Sequence, residues 1–368
     1  MTKIILLDID GVLVQPFGYR VALRATVKHF LGSHIEVDED VLTDLEKRGI
    51  SSEWDMTPLI IASYWNSILI QHPQHSLSFE VSQAAVQLQE IKSTSPIQIV
   101  IPEFKLIVGQ YPSESAFHEN CFSTIPLELR KKLLLHTRNI DFSHTMRIFQ
   151  HFTLGSENFK KTYNLPAEFE TDSFLLKDDV SNINDEIREK LLQHHIAGFT
   201  ARPSKIPVQV AEAIIGYAPE AELALELVNL DIPLIAFGKL EYIASKYGLD
   251  SAILIKPSPF QALAGVLAAW TKDEWLALQS AYHWFEKNEL SETFKQLPKE
   301  FELIVVEDTM GGIRSVQSAG EILQQAGFDV HIKTIGLTSD SQAKASAFKK
   351  AGIECFDTWE EIITNLEI

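Results

Sequence analysis

The 368-residue sequence predicts an α/β protein, a doubly wound parallel sheet interrupted by a large, mainly α-helical insertion. Three observations predict it. The chain opens on an unbroken apolar run, Ile4 to Leu7, that stops at Asp8. From about Glu186 to the last residue, strand-like and helix-like segments alternate. Between these two parts, residues 17–185 follow mostly helical spacing.

Ile4 to Leu7 is short enough for one buried strand, apolar on both faces. Tyr19 to Leu31 then mixes apolar and basic residues at helical spacing. Asp38 to Lys47 begins with an acidic cap. Ser51-Ser52-Glu53 precedes a long apolar, aromatic-rich run through Ile70, and Pro126 to Thr137 carries Leu127, Leu129 and Leu133 to Leu135. The connectors hold Pro73, Pro96, Pro102, Pro112 and Pro166. Ile97 to Val108 fits either strand or loop.

The second part reads as helix Ile187 to His194, strand Ile196 to Phe199, and two helical stretches, the second entered at Pro219 and running to Leu230. Strand Ile232 to Phe237, helix Leu240 to Tyr247 and a short strand Ala252 to Ile255 follow. Strand Leu303 to Val306 leads into a helix from Gly311 to about Gln325. Strand Val330 to Leu337, helix Ser341 to Ala351, strand Ile353 to Phe356 and a helix from Trp359 complete the pattern. Such alternation implies parallel βαβ units with helices on both faces. A lone N-terminal strand is not stable alone, so residues 1–16 belong with 186–368 in one domain, and 17–185 is inserted into it. Residues 265–300 read as a smaller helical insertion whose Trp270, Trp275 and Trp284 serve packing.

Composition narrows the function. An apolar fraction of 45% and a charged fraction of 22% are those of a soluble globular protein. The net charge of −18 argues against nucleic acid or an anionic membrane as partner. An anionic substrate would have to be drawn in by local cations or a metal. Cys121 and Cys355 form no metal spacing and suit a reducing compartment. No stretch approaches a membrane span, and Asp8 and Asp10 interrupt the one apolar run near the N-terminus. A cytoplasmic location follows as the expectation.

Four spots carry chemistry, each just beyond an expected strand. Asp8 and Asp10 end the first strand, where open α/β sheets place their ligands. A plain turn also contains Asp-Gly. A calcium loop fails on spacing: with Gly11 at the sixth position, Leu6 and Phe17 would hold the first and twelfth. Thr200 follows Phe199, where a hydroxyl and free N–H groups suit a phosphate oxygen or serve as a helix cap. Lys256, in Ile-Lys-Pro-Ser-Pro, can neutralise carboxylate and phosphate charge together, or lie in a solvated turn. Glu307-Asp308 repeats the geometry of Asp8. Acids converging from two strands suggest a hard cation held by oxygens. His194-His195 ends a helix and its rings point apart, which disfavours a metal pair.

In this order and context the motifs resemble the haloacid dehalogenase superfamily of phosphohydrolases. Asp8-Ile9-Asp10-Gly11-Val12-Leu13 is similar to its first motif, Thr200 to its second, Lys256 to its third and Glu307-Asp308-Thr309 to its fourth. Gly312-Ile313 through Ala319-Gly320 is similar to the branch of phosphoglycolate phosphatase and β-phosphoglucomutase. The resemblance covers residues 1–16 and about 186–368 and implies a Rossmann-like core. It implies Asp8 as nucleophile and Asp10 as general acid and base. It also implies Mg²⁺ held by Asp8, the Asp10 carbonyl, Asp308 and Glu307, with Thr200 and Lys256 on the phosphoryl oxygens. Arg202 is a further phosphate candidate.

The reading is a Mg²⁺-dependent phosphatase of a small phosphorylated metabolite. A phosphomutase using the same aspartyl phosphate is one alternative, and a non-catalytic regulatory or scaffold protein is another. In the family, a helical insertion after the first motif caps the site. Residues 17–185 match that placement at about twice the usual size. Arg20, Arg24, Arg48, Trp54 and Asp55 are its candidates for substrate contact, with Arg48 and Trp54 preferred because their loop joins two helices.

Overall fold

A computed structural model describes residues 1–91, 97–212 and 214–368. They divide into two compact units, Met1–Pro16 with Asp179–Ile368, and Phe17–Asp178. The chain opens with β1 (Thr2–Leu7) and β2 (Val14–Gln15). The second unit then contains α1 (Phe17–Leu31), α2 (Glu39–Lys47), α3 (Glu53–Gln71), α4 (Val81–Glu90), α5 (Pro112–His118), α6 (Leu127–Leu134), α7 (His144–Tyr163) and α8 (Phe174–Asp178). The first unit resumes with β3 (Val180–Ser181), α9 (Asp185–Leu191), β4 (His195–Thr200), α10 (Glu220–Leu227), β5 (Leu234–Ala236), α11 (Phe237–Tyr247), α12 (Pro259–Thr271) and α13 (Glu274–Lys287). It closes with β6 (Glu300–Glu307), α14 (Met310–Gln325), β7 (Asp329–Leu337), α15 (Gln342–Lys350), β8 (Glu354–Phe356) and α16 (Trp359–Leu366).

The protein is α/β with a Rossmann-like core. Among the described residues, six strands form a parallel sheet in the order β5-β4-β1-β6-β7-β8. β1 lies inside the sheet, between β4 and β6. Its side chains alternate between two cores: Ile4 and Leu6 pack with α12 and α14, and Ile5 and Leu7 with α9, α10 and α16. That two-sided burial explains why its sequence shows no polar alternation. Successive strands run outward from β1 on one side, then jump across it to β6, so the carboxyl ends of β1 and β6 mark a switch point.

Several boundaries differ from the sequence expectation. The chain re-enters the first unit at Asp179 rather than 186. Asn182 explains this: its backbone N–H donates to Leu13 O at 2.9 Å, and its side chain donates to Val12 O. Ala252 to Ile255 is not a strand but lies on a 3₁₀ turn, Ser251–Ile253. Asp250 caps that turn through the Ala252 N–H, and Leu254, the residue after it, is the one of the four buried in the core. The first helical stretch expected after Thr200 is irregular, as Pro203 and Pro207 remove backbone donors there. The expected insertion at 265–300 cuts through α12, which is a core helix: Phe260, Leu263, Val266 and Leu267 are fully buried in the layer beside the sheet. Trp270, Trp275 and Trp284 pack against that same core.

The helical unit has its own core, in which Phe30 of α1, Trp65 of α3, Leu88 of α4, Leu129 of α6 and Phe149 of α7 are buried. Burial along most of α3 accounts for its apolar, aromatic composition. Ile97 to Val108 holds no strand. Ser63 Oγ instead satisfies both backbone groups of Val100, each at 2.9 Å. No described helix is long and apolar enough to cross a membrane.

Candidate active site

The site begins where β1 ends. Asp8 still pairs with the neighbouring strand, its N–H donating to Val306 O at 3.1 Å, and its side chain is buried. The chain then turns sharply, and Ile9 O accepts N–H bonds from Val12, Leu13 and Val14. Trp359 Nε1 clamps the turn from α16 by donating to Val12 O at 2.8 Å. Gly11 sits at φ +73°, a left-handed conformation that favours glycine, and a Cβ there would collide with the Asp308 carboxylate. The two acidic strand ends can approach because this position has no side chain.

Lys256 joins them electrostatically. Its Nζ lies 2.9 Å from Asp8 Oδ1 as an ion pair, without directed hydrogen-bond geometry, and donates a hydrogen bond to Glu307 Oε1. It also lies 4.6 Å from the centre of the Phe199 ring. Burial pulls the lysine's pKa down, but Asp8 and Glu307 outweigh it and push it up, so the ammonium stays charged. Asp8 responds differently. Burial, reinforced by Glu307, raises its carboxyl to about 7 despite Lys256. Glu307 is fully buried, and its other oxygen, Oε2, accepts from the N–H groups of Asp308 and Thr309 and from Thr309 Oγ1. It thereby fixes the turn that leads into α14 while neutralising Lys256. Gly312 permits this, since a Cβ there would overlap the Glu307 carboxylate.

Carboxylate oxygens of Asp8, Glu307 and Asp308 all lie within 4.8 Å of one another. Burial, then the charge of Asp8, raises the pKa of Asp308, against the pull of Lys344, whose Nζ donates to Asp308 Oδ2 at 2.6 Å. Three carboxylates drawn together in a largely buried pocket, with the pKa of Asp8 and of Asp308 raised, leave the set short of positive charge. It fits a hard divalent cation.

Thr200 ends β4, almost fully buried, and its Oγ1 accepts from Arg202 N–H at 3.2 Å. Sequence reasoning sends the Arg202 side chain to a phosphate. In the structure it reaches two carboxylates instead, Asp10 and Asp179. Asp179 is among the residues that sequence reasoning missed, with Lys344 and Gln261. Gln261 is completely buried on the first turn of α12. Its Oε1 accepts from Lys256 N–H at 3.1 Å, and its Nε2 donates to Thr200 O at 2.9 Å and Ile235 O at 2.8 Å. One amide therefore ties together the Lys256 loop and the ends of β4 and β5. A glutamine in the otherwise apolar run Pro-Phe-Gln-Ala-Leu-Ala was the available signal.

The candidates in the helical unit are engaged within that unit. Arg48 follows α2 as expected, and its guanidinium donates to the carbonyls of Ile101 and Pro102 and lies 5.3 Å from the Phe104 ring centre. Trp54, in the first turn of α3, meets Phe149 edge-on and lies under Arg138, which also pairs with Asp55. Arg20 pairs with Glu46 and Glu53, and Arg24 with Glu39. His195 begins β4, at the opposite end of that strand from Thr200, against Trp270.

No protein-family model and no curated protein matches the chain. An X-ray structure solved as a target of the Northeast Structural Genomics Consortium superposes with a TM-score of 0.68 at 14% identity. The match covers 100% of this chain and 98% of that one. The likeness is one of fold across both parts of the chain.

Proposed function

We propose that the protein is a Mg²⁺-dependent phosphohydrolase that works through an aspartyl phosphate on Asp8. One observation carries the reading: the ends of β1 and β6 bring Asp8, Glu307 and Asp308 within 4.8 Å of one another, with Lys256 ion-paired to Asp8. The unit Phe17–Asp178 is read as the family's cap, here enlarged.

An Asp8 oxygen attacks phosphorus in line, and the P–O bond to the leaving alcohol breaks. Asp10 donates its proton to the departing alkoxide. Water then attacks the phosphoryl group and gives a proton to Asp10, the P–O bond to Asp8 breaks, and phosphate leaves. Mg²⁺, held by Asp8, Asp308 and the Asp10 carbonyl with Glu307 beside it, would offset repulsion between Asp8 and the anionic substrate. Lys256 and Thr200 would hold phosphoryl oxygens as charge shifts onto them. Lys256 together with a bound cation would answer the difficulty posed by the net charge of −18.

A panel of phosphorylated metabolites and an aryl phosphate, assayed for released phosphate with Mg²⁺ and with excess chelator, tests the reading. Release that depends on Mg²⁺ is expected. Undiminished release in chelator, or none from any ester, would overturn it.

A further inference from the structure

Arg202 and Asp179 form a buried ion pair that the chemistry above does not use. Their side chains are 1% and 0% exposed, with Arg202 Nη2 2.9 Å from Asp179 Oδ2. The third partner is Asp10, 35% exposed, whose Oδ1 accepts from both Nε at 2.8 Å and Nη2 at 2.6 Å. Backbone contacts fix where the arginine starts: its N–H donates to Thr200 Oγ1, and its carbonyl accepts from Phe237 N–H at 3.0 Å. Removing two charges from water is costly, and an apolar trio of similar volume is often at least as stable. Stability alone is therefore a poor reason for the arrangement, whereas orientation is a good one. A guanidinium is a rigid planar fork, so a carboxylate bound to two of its N–H groups is held in one rotamer.

We propose that Arg202 is a positioning residue for Asp10. Anchored by Asp179, it takes Oδ1 twice and leaves Oδ2 to the proton that moves between Asp10 and the leaving group. Asp179 begins the segment that returns the chain to the α/β unit, and its neighbour Val180 pairs with Gln15, so the anchor also ties the two strands flanking the insertion to the acid. This inference rests on the role given to Asp10 under the proposed function. It goes further by assigning the acid's orientation to a pair of residues that make no contact with the transferred phosphoryl group.

The test is the leaving-group dependence of kcat/KM for wild type, Arg202→Lys, Asp179→Asn, Asp10→Asn and the Asp10→Asn/Arg202→Lys double variant. The substrates run from a dinitrophenyl phosphate to an alkyl phosphate. Arg202→Lys keeps the charge and loses the fork. It should reduce turnover of the alkyl ester by about 10- to 100-fold, within the ~10²–10⁴-fold that general acid–base catalysis supplies. The dinitrophenyl ester, whose leaving group needs no proton, should fall less than about 3-fold on the same principle. The double variant should be no slower than Asp10→Asn. Asp179→Asn should show the same pattern more weakly, and it carries the test if Arg202→Lys does not fold by circular dichroism. A uniform loss on every ester, or a loss that adds to that of Asp10→Asn, overturns the positioning role. A raised KM on all esters with kcat unchanged would return Arg202 to the phosphate. If Asp10→Asn itself proves indifferent to the leaving group, the general-acid reading fails, and this inference with it.

Discussion

Lys344 Nζ donates to Asp308 Oδ2 at 2.6 Å, so a lysine from α15 neutralises a carboxylate proposed to bind the cation. The two compete for one charge. Lys344 is 36% exposed, and pairs of that kind contribute at most about 1 kcal/mol. Lys344→Ala should therefore lower the Mg²⁺ concentration at half-maximal activity by about two- to fivefold. A Mg²⁺ activation curve checks this. A higher requirement in the variant would mean that Lys344 orients Asp308 instead of competing for it.

Asp8→Asn should abolish turnover and leave the fold intact, because an amide of nearly the same shape cannot attack phosphorus. Its stability should move in the opposite direction from its activity. In chelator at pH 8, wild type holds three buried or nearly buried carboxylates around Lys256, and burial has raised the pKa of Asp8 to about 7. The amide removes one of those charges, while Glu307 still neutralises the lysine. Thermal unfolding of the variant in chelator should begin no lower than that of wild type. A large fall would give Asp8 a structural part that the ion pair with Lys256 does not imply.

The raised pKa of Asp8 also predicts how Mg²⁺ stabilisation varies with pH. An acid shifted from 3.8 in the unfolded chain to about 7 when folded binds more protons in the folded state between those values. The metal-free protein therefore loses stability as pH rises through that window. A cation needs the deprotonated carboxylate, so protons compete with it below about 7. Mg²⁺ should raise the melting temperature more at pH 8 than at pH 5.5. An equal or larger shift at pH 5.5 would place the cation elsewhere.

What could be read from the sequence depended on how local the signal was. Ile4 to Leu7 is buried on both faces, and its apolar run announces a central strand directly. Asp8 and Glu307 stand out because each closes an apolar strand run, and Lys256 because it opens a proline-marked loop. Lys256 lies beside both acids even though a 3₁₀ turn, not a strand, precedes it. The partners were not legible. Asp179 and Arg202 meet across a turn of the fold that no spacing encodes, and Lys344 reaches Asp308 from the helix after β7. Arg48 illustrates the opposite case. A charged residue in a loop between helices looks available, but two backbone carbonyls far along the chain hold it.

Gln261 makes the strongest prediction about how the site is held. Its side chain is the partner for three buried backbone groups, Lys256 N–H, Thr200 C=O and Ile235 C=O. Gln261→Leu keeps the volume and removes all three bonds, leaving Lys256 N–H and Thr200 C=O without this partner, each at about 1–3 kcal/mol for an unsatisfied buried group. Unfolding by denaturant should show a loss of about 2 kcal/mol or more on that basis, with the slope unchanged. Activity should fall beyond what unfolding explains, since Thr200 and the Lys256 loop lose their common tether. Gln261→Glu separates donor from acceptor. It retains an oxygen for Lys256 N–H, but it can donate to only one carbonyl, and only while protonated. Burial would raise that carboxyl's pKa, so the stability of Gln261→Glu should decline with rising pH more steeply than that of wild type. If Gln261→Leu unfolds at the wild-type midpoint with wild-type turnover, the Lys256 loop and the two strand ends are held by packing alone and the amide is incidental.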